Sequence, residues 1–131
     1  MNRKIISHVS IGTNQFKKAI EFYDSVFTAI GIKRVIELLD YNAVAYGKTH
    51  PEFWVQTPVN DLPAETANGI HFGFSCESQK HVDSFYEAAI KAGATCEGPP
   101  GPRPHYGIEY YGCFVKDLDG HKIEAMHWKE Q

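Results

Sequence analysis

Hydrophobic and polar positions in this chain first alternate, then recur at helical spacing, and then do both again. Ile5, Ser7, Val9 and Ile11 share one face of an extended segment; Ile6, His8 and Ser10 share the other. That period of two predicts a strand over 5–11. Phe16, Ala19, Ile20, Tyr23, Val26, Phe27 and Ile30 then follow at helical spacing. Thr13 or Asn14 can cap this helix and Gly31 can end it. Three strand-like segments come next, at 32–38, 42–47 and 52–57, with turns at Asp40-Tyr41-Asn42 and Lys48-Thr49-His50-Pro51. The order is βαβββ.

A polar connector over 60–68, containing Pro63, separates this module (4–59) from a second one (69–128) in which the order recurs. A strand is predicted over 69–76. Ser78 is a good helix N-cap, Val82, Phe85, Tyr86 and Ala89 form an apolar stripe, and Gly93 ends the helix. A short strand at 94–97 precedes Gly98–Pro104, a run of glycine and proline that reads as a loop. The last two strands, 110–116 and 122–128, are joined by Asp117-Leu118-Asp119-Gly120, a strong hairpin signal.

The two modules align residue by residue. The interval from His8 to His71 equals that from Phe22-Tyr23 to Phe85-Tyr86, 63 residues. The final strands align at an offset of 70, which puts Trp54 in the slot of Glu124. Fixed-period self-similarity of this kind decides the architecture before any local motif does. The predicted fold class is α+β: two βαβββ modules forming a curved mixed sheet, a half-barrel cup with the helices outside. The competing ferredoxin-like βαββαβ sandwich is disfavoured because three strand segments, not two, follow each helix.

Composition narrows the picture further. The 131 residues suit one domain and are 43% hydrophobic and 13% aromatic, ample for a buried core. Net charge is -3 and no basic run stands out, which argues against nucleic acid and anionic membranes as partners. The first residues lack the apolar stretch of a signal peptide, and no run is long enough to span a membrane. Cys76, Cys96 and Cys113 are odd in number and widely spaced, which fits a reducing compartment and small buried hydrophobes. The expected location is cytoplasmic.

Candidate chemistry follows from strand parity. His8 shares its face with Ser10, and His71 with Gly73 and Ser75. The opposite faces, Val9 with Ile11 and Phe72 with Phe74, are bulky and should pack under the helices. The histidines then point to the concave side, and Glu124, alternating against Ile123 and Ala125, can join them. Two neutral imidazoles and one carboxylate suit Fe(II), Mn(II), Ni(II) or Zn(II) and leave coordination positions open. A lone strand histidine is usually just a hydrogen-bonded residue; recurrence at the same module position argues for ligation by His8, His71 and Glu124. The other histidines carry no such signal: His50 and His121 sit in turns, His81 on a helix surface, and His127 opposite in parity to Glu124. Tyr23 and Tyr86 read as core. Arg103, His105, Tyr106, Tyr110 and Tyr111 lie on an insertion relative to the first module. They form either a lid, with Arg103 clamping a carboxylate and Tyr or His relaying a proton, or an ordinary rigid loop with surface aromatics.

The opening "SHVSIGT", the helical "FYD", the restart "GIHFGF" and the closing "VKDLDGHKIEAM" resemble the vicinal oxygen chelate superfamily, which includes glyoxalase I, extradiol dioxygenases and bleomycin-resistance proteins. The resemblance covers essentially the whole chain. It implies a metal in the cup, held by residues of the first and last strands: His8, His71 and Glu124 here. A glyoxalase I would add a fourth ligand from the last strand of the first module. That slot holds Trp54, or Gln56 if the register slips by two. Tryptophan cannot ligate and reads as a wall of the cup. The remaining trio looks more like the extradiol dioxygenase set. The resemblance therefore implies a small metalloenzyme whose substrate bears adjacent oxygens, with Glu124 also catalytic and Trp54, Arg103, His105, Tyr106 and Tyr111 contacting substrate. The rival implication is a metal-free protein that sequesters a ligand in the cup, as bleomycin-resistance proteins do; a third is a vestigial metal site in a protein that binds a partner. Dimers, in some members formed by exchanging modules, are implied as well.

Overall fold

A computed structural model describes residues 4–128. The elements run in the predicted order: β1 (Val9–Gly12), α1 (Phe16–Thr28), β2 (Lys33–Leu38), β3 (Ala43–Gly47), β4 (Phe53–Gln56), β5 (Phe72–Ser75), α2 (Gln79–Lys91), β6 (Thr95–Pro102), β7 (Tyr110–Lys116) and β8 (Lys122–Trp128). Each module is one βαβββ unit, so the fold class holds and the ferredoxin-like alternative does not. Each builds a four-stranded sheet, ordered β1-β4-β3-β2 and β5-β8-β7-β6. The first strand of each module lies parallel to the last, and the other pairings are antiparallel. The ladders confirm the internal alignment: Ser10 pairs with Trp54 as Gly73 pairs with Glu124.

Three local expectations need correction. Strand β1 begins at Val9 rather than residue 5, and β5 at Phe72 rather than 69. A first strand can start only where its single neighbour does; Val9 pairs with Phe53, and before Phe53 lies the Lys48–Pro51 turn. His8 and His71 therefore sit immediately ahead of their strands. Second, the Gly98–Pro104 run is not wholly loop, because β6 continues to Pro102. It is an edge strand with two register shifts, and an edge tolerates proline because the missing N–H need not meet a neighbour. Third, Gln15 occupies the N-cap of α1. Thr13 accepts from the Gln15 amide at 3.1 Å and donates to Asp119 at 2.5 Å, so it serves the junction between modules. Ser78 caps α2 as predicted, accepting from the His81 amide.

The modules share one core. Phe27 of α1 and Phe53 of β4 meet Phe74 of β5 with ring centroids 4.9 and 5.1 Å apart. A polar knot seals the join. Asp117, buried at the β7–β8 turn, accepts from the amides of Asp119 and His121 and from the Tyr23 hydroxyl of α1 at 2.6 Å. His121 Nε2 donates to the Gly12 carbonyl at 2.8 Å. Gly120 closes the turn at φ +94°, a left-handed conformation that suits glycine. The second module's hairpin thereby grips the β1–α1 corner of the first. The far edges of β1 and β5 have no strand partner among the described residues. No described helix is long and apolar enough to cross a membrane.

Burial raises the Asp117 pKa, and the Tyr23 hydrogen bond works against that rise. Tyr23→Phe removes the opposing bond, so the folded-state pKa climbs further and the ionised form loses most. The variant should cost about 1–3 kcal/mol at pH 7. The loss should shrink as pH falls toward 4 and the carboxyl protonates. Urea unfolding at both pH values checks this; an equal loss at both would contradict it.

Candidate functional site

The concave face of the second sheet gathers most of the candidate polar side chains. Cross-strand pairing of Phe114 with Glu124 and of Gly112 with Met126 puts Tyr110, Gly112, Phe114 and Lys116 on the same face as Lys122 and Glu124. Glu124 is a carboxylate in the middle of a sheet, only 9% exposed. Its position depends on two glycines. Gly73, its direct neighbour on β5, leaves room: a Cβ there would stand 3.2 Å from Oε1. Gly112 leaves the path by which the Tyr110 ring crosses β7; a Cβ there would collide with the Tyr110 hydroxyl.

A buried carboxylate requires donors. Tyr110 donates its hydroxyl to Glu124 Oε2 at 2.5 Å. Burial first, and then this bond to a carboxylate, push the Tyr110 pKa well above the ordinary phenol range, so its proton stays in place. The other oxygen, Oε1, lies 3.0 Å from His71 Nε2. The far side of the His71 ring meets Phe114 edge-on, with centroids 5.7 Å apart. Phe114 also carries the Lys122 ammonium, 5.0 Å from its centroid, and the Arg103 guanidinium at 5.8 Å.

The structure brings together two of the three expected metal ligands, His71 and Glu124. His8 is exposed and its Nδ1 is bonded to Ser7 Oγ at 3.0 Å. It shares with His71 a cleft of about 580 Å³ between the free edges of β1 and β5, floored by Phe53, Phe72 and Phe74. Among the described residues no three His, Cys, Asp or Glu side chains converge closely enough to share an ion within one chain. The His71–Glu124 pair itself fits a divalent cation. Two adjacent donors that each sit about 2.1 Å from one ion are roughly 3 Å apart, the spacing seen here.

The residues expected to contact substrate separate into two groups. Trp54 is half-buried on the concave face of the first sheet, opposite Ser10 and Ala45, in the slot that Glu124 fills in the second. Tyr106 stands at the rim of the second cup, its ring centroid 5.1 Å from Tyr110 and 6.5 Å from Phe114, with the His105 ring tilted against it at 4.3 Å. Arg103 and Tyr111 have other work. The Arg103 guanidinium donates to the carbonyls of Pro99, Gly101 and Gly112 and so ties the β6–β7 connection together, which leaves it poorly placed as a carboxylate clamp. Tyr111 alternates against Tyr110, faces α2 and donates to Asp83 at 2.7 Å. It lies outside the cup. The sequence reading missed the direct tie of Tyr110 to Glu124, and the roles of Phe114 and Lys122. The signal was available, because the Asp117–Gly120 turn fixes the register that sets Phe114 opposite Glu124.

Comparison with known proteins places the fold in a family. Residues 5–125 match the family model described as the glyoxalase/bleomycin resistance protein/dioxygenase superfamily. A glyoxalase/bleomycin resistance protein from Albidiferax ferrireducens is 34% identical, with TM-score 0.82, covering 95% of this chain and 98% of that one. A fosfomycin resistance protein from Listeria monocytogenes, 18% identical with TM-score 0.69, covers 99% and 97%. A lactoylglutathione lyase from Agrobacterium tumefaciens, 20% identical with TM-score 0.65, covers 96% and 95%. The last two likenesses show the fold alone. No curated protein matches the chain significantly.

The burial of Glu124 ranks two neighbouring tyrosines. Tyr110→Phe strips a donor from a buried carboxylate and should cost about 1.5–3 kcal/mol, whereas Tyr111→Phe, at a half-exposed pair, should cost about 0.5–1.5 kcal/mol. Denaturant unfolding of both variants reads the order directly, and the reverse order would contradict the assignment.

Proposed function

The chain belongs to the glyoxalase/bleomycin resistance protein/dioxygenase superfamily, and on that premise we propose that it is a metal-dependent enzyme acting on a small molecule with two adjacent oxygens. The observation that carries this reading is the His71–Glu124 pair, two donors at ligand spacing with the carboxylate pinned from behind by Tyr110. His71 and Glu124 of one chain, with His8 of a second copy, would hold the ion, of Fe, Zn, Ni or Mn type. When bound, such an ion supplies Lewis acidity to the substrate's oxygens, toward an enolate-like state or dioxygen activation.

Two observations support a site shared between copies. His8 stands apart from the pair within its own chain, and the cleft between β1 and β5 is flanked by unpaired strand edges and by exposed Ile6 and Ile70. Unpaired edges beside apolar side chains are surfaces that a second copy can cover. The protein's own residues then have distinct tasks. Tyr110 holds its proton on Glu124 Oε2, so only Oε1 is presented to the site. Phe114 fixes the His71 ring plane. Glu124 is the group positioned to move a proton beside a substrate carbonyl, and Trp54 walls the opposite cup and excludes water.

A second reading, a metal-free cup that sequesters its ligand, draws on the aromatic lining of Tyr106, Phe114 and Trp54, which can stack on a bound molecule without chemistry. Metal analysis separates the two. Purified protein reconstituted with each candidate ion should hold nearly one per chain, and His8→Ala, His71→Ala and Glu124→Gln should each reduce this at least tenfold. Absence of binding in wild type after loading would leave the sequestering reading. Because imidazole must be neutral to ligate, affinity should fall as pH drops below about 6. Mixing unfolded His8→Ala with unfolded Glu124→Gln and refolding them together tests the sharing of the site. Mixed dimers contain one intact His8–His71–Glu124 set, so metal binding should return to about one ion per mixed dimer, half that of wild type; no recovery would place the three ligands in one chain.

A further inference from the structure

Beside the His71–Glu124 pair lies a second feature that the proposed metal chemistry does not use. Lys116 and Lys122 face each other directly across β7 and β8, on the concave face. Like charges opposed at this position are unfavourable unless something offsets them. Among the described residues neither lysine forms an ion pair; the salt bridges there involve Arg34, Lys48 and His71. Both line a cavity of about 430 Å³ that also reaches His71. Its single acidic wall residue, Glu97, is exposed and makes no salt bridge to either. Of its two histidines, His71 is paired with Glu124 and His121 is committed to the Gly12 carbonyl. Lys122 is half-buried and held in place, its ammonium 5.0 Å from the ring of Phe114, the same ring that braces His71.

We propose that Lys116 and Lys122 form an oxyanion subsite, which receives a carboxylate or phosphoryl group of the substrate while its adjacent oxygens lie at His71 and Glu124. This rests on the reading of the His71–Glu124 pair as the reactive end of the site. A compact, strongly hydrated ammonium suits a rounded oxyanion, and two of them on one wall double the attraction. Because Phe114 braces both His71 and Lys122, the distance between the reactive end and the anionic end is fixed by the sheet. The substrate class is thereby narrowed to small molecules with vicinal oxygens at one end and an anionic group at the other.

The test uses the full-length protein stripped of metal with EDTA and titrated separately with inorganic phosphate and with acetate, followed by amide chemical shifts. Saturable binding of at least one probe is expected, with shifts at Lys116, His121 and Lys122, weakening as salt is raised. Lys122→Met and Lys116→Met should each weaken it at least tenfold, Lys122→Arg should retain most of it, and Lys33→Met, which removes one charge on the other module, should leave it unchanged. The tighter probe tells carboxylate from phosphoryl. Binding of neither probe, or equal weakening in Lys33→Met and Lys122→Met, would overturn the subsite. Metal content is measured on the same variants: wild-type metal content without anion binding refutes the subsite alone, and anion binding without metal refutes the metal reading alone.

Discussion

A carboxylate carried into the middle of a β-sheet must be met by donors, and the second module is organised around that demand. Glu124 has two oxygens to satisfy in an enclosed position. One is held by Tyr110 and the other faces His71. Each neighbour is constrained in turn. A side chain at residue 73 would crowd the Glu124 carboxylate, and one at residue 112 would collide with the Tyr110 ring where it crosses the strand. Phe114 must be large and planar to brace the imidazole. The result is a carboxylate with one oxygen held by Tyr110 and the other directed at His71.

The first module shows what the same ladder does without that demand. At the position equivalent to Glu124 stands Trp54, over Ser10 and the small Ala45. No buried charge is present, so no donors are gathered. The repeat is therefore symmetric in its backbone and asymmetric in its chemistry. The two halves are nevertheless bound tightly to each other. Shared aromatic packing and the knot of Tyr23, Asp117, Thr13, Asp119 and His121 hold the second hairpin against the first helix. That junction fixes how the edges of β1 and β5 are offered to a neighbour.

Much of this was legible in the sequence. Period-two and helical spacings identify every strand and both helices, and the Asp117–Gly120 turn announces the last hairpin. The recurrence of histidine ahead of each first strand and the single carboxylate in the last one single out His71 and Glu124, which the fold brings within 3.0 Å of each other. The failures have physical causes. Proline suggests a loop at 98–104, yet an edge strand need not supply every N–H, so β6 runs on to Pro102. Alternation extends β1 back to residue 5, yet a strand ends where its partner does. Arg103 looks like an anion clamp until the carbonyls it ties together are visible.

By itself the sequence determined the βαβββ repeat, the break in its symmetry at Trp54, and the identity of the polar residues on the concave faces. These are local properties, set by side-chain period and by the chemistry of single residues. Only the tertiary structure decided which of those residues meet. Whether His71 reaches Glu124, whether Tyr110 lies over Gly112, and whether His8 stands with them or across a free edge all depend on strand register and on how two modules dock. Those distances belong to packing between residues far apart in the chain, which no periodicity within either module encodes.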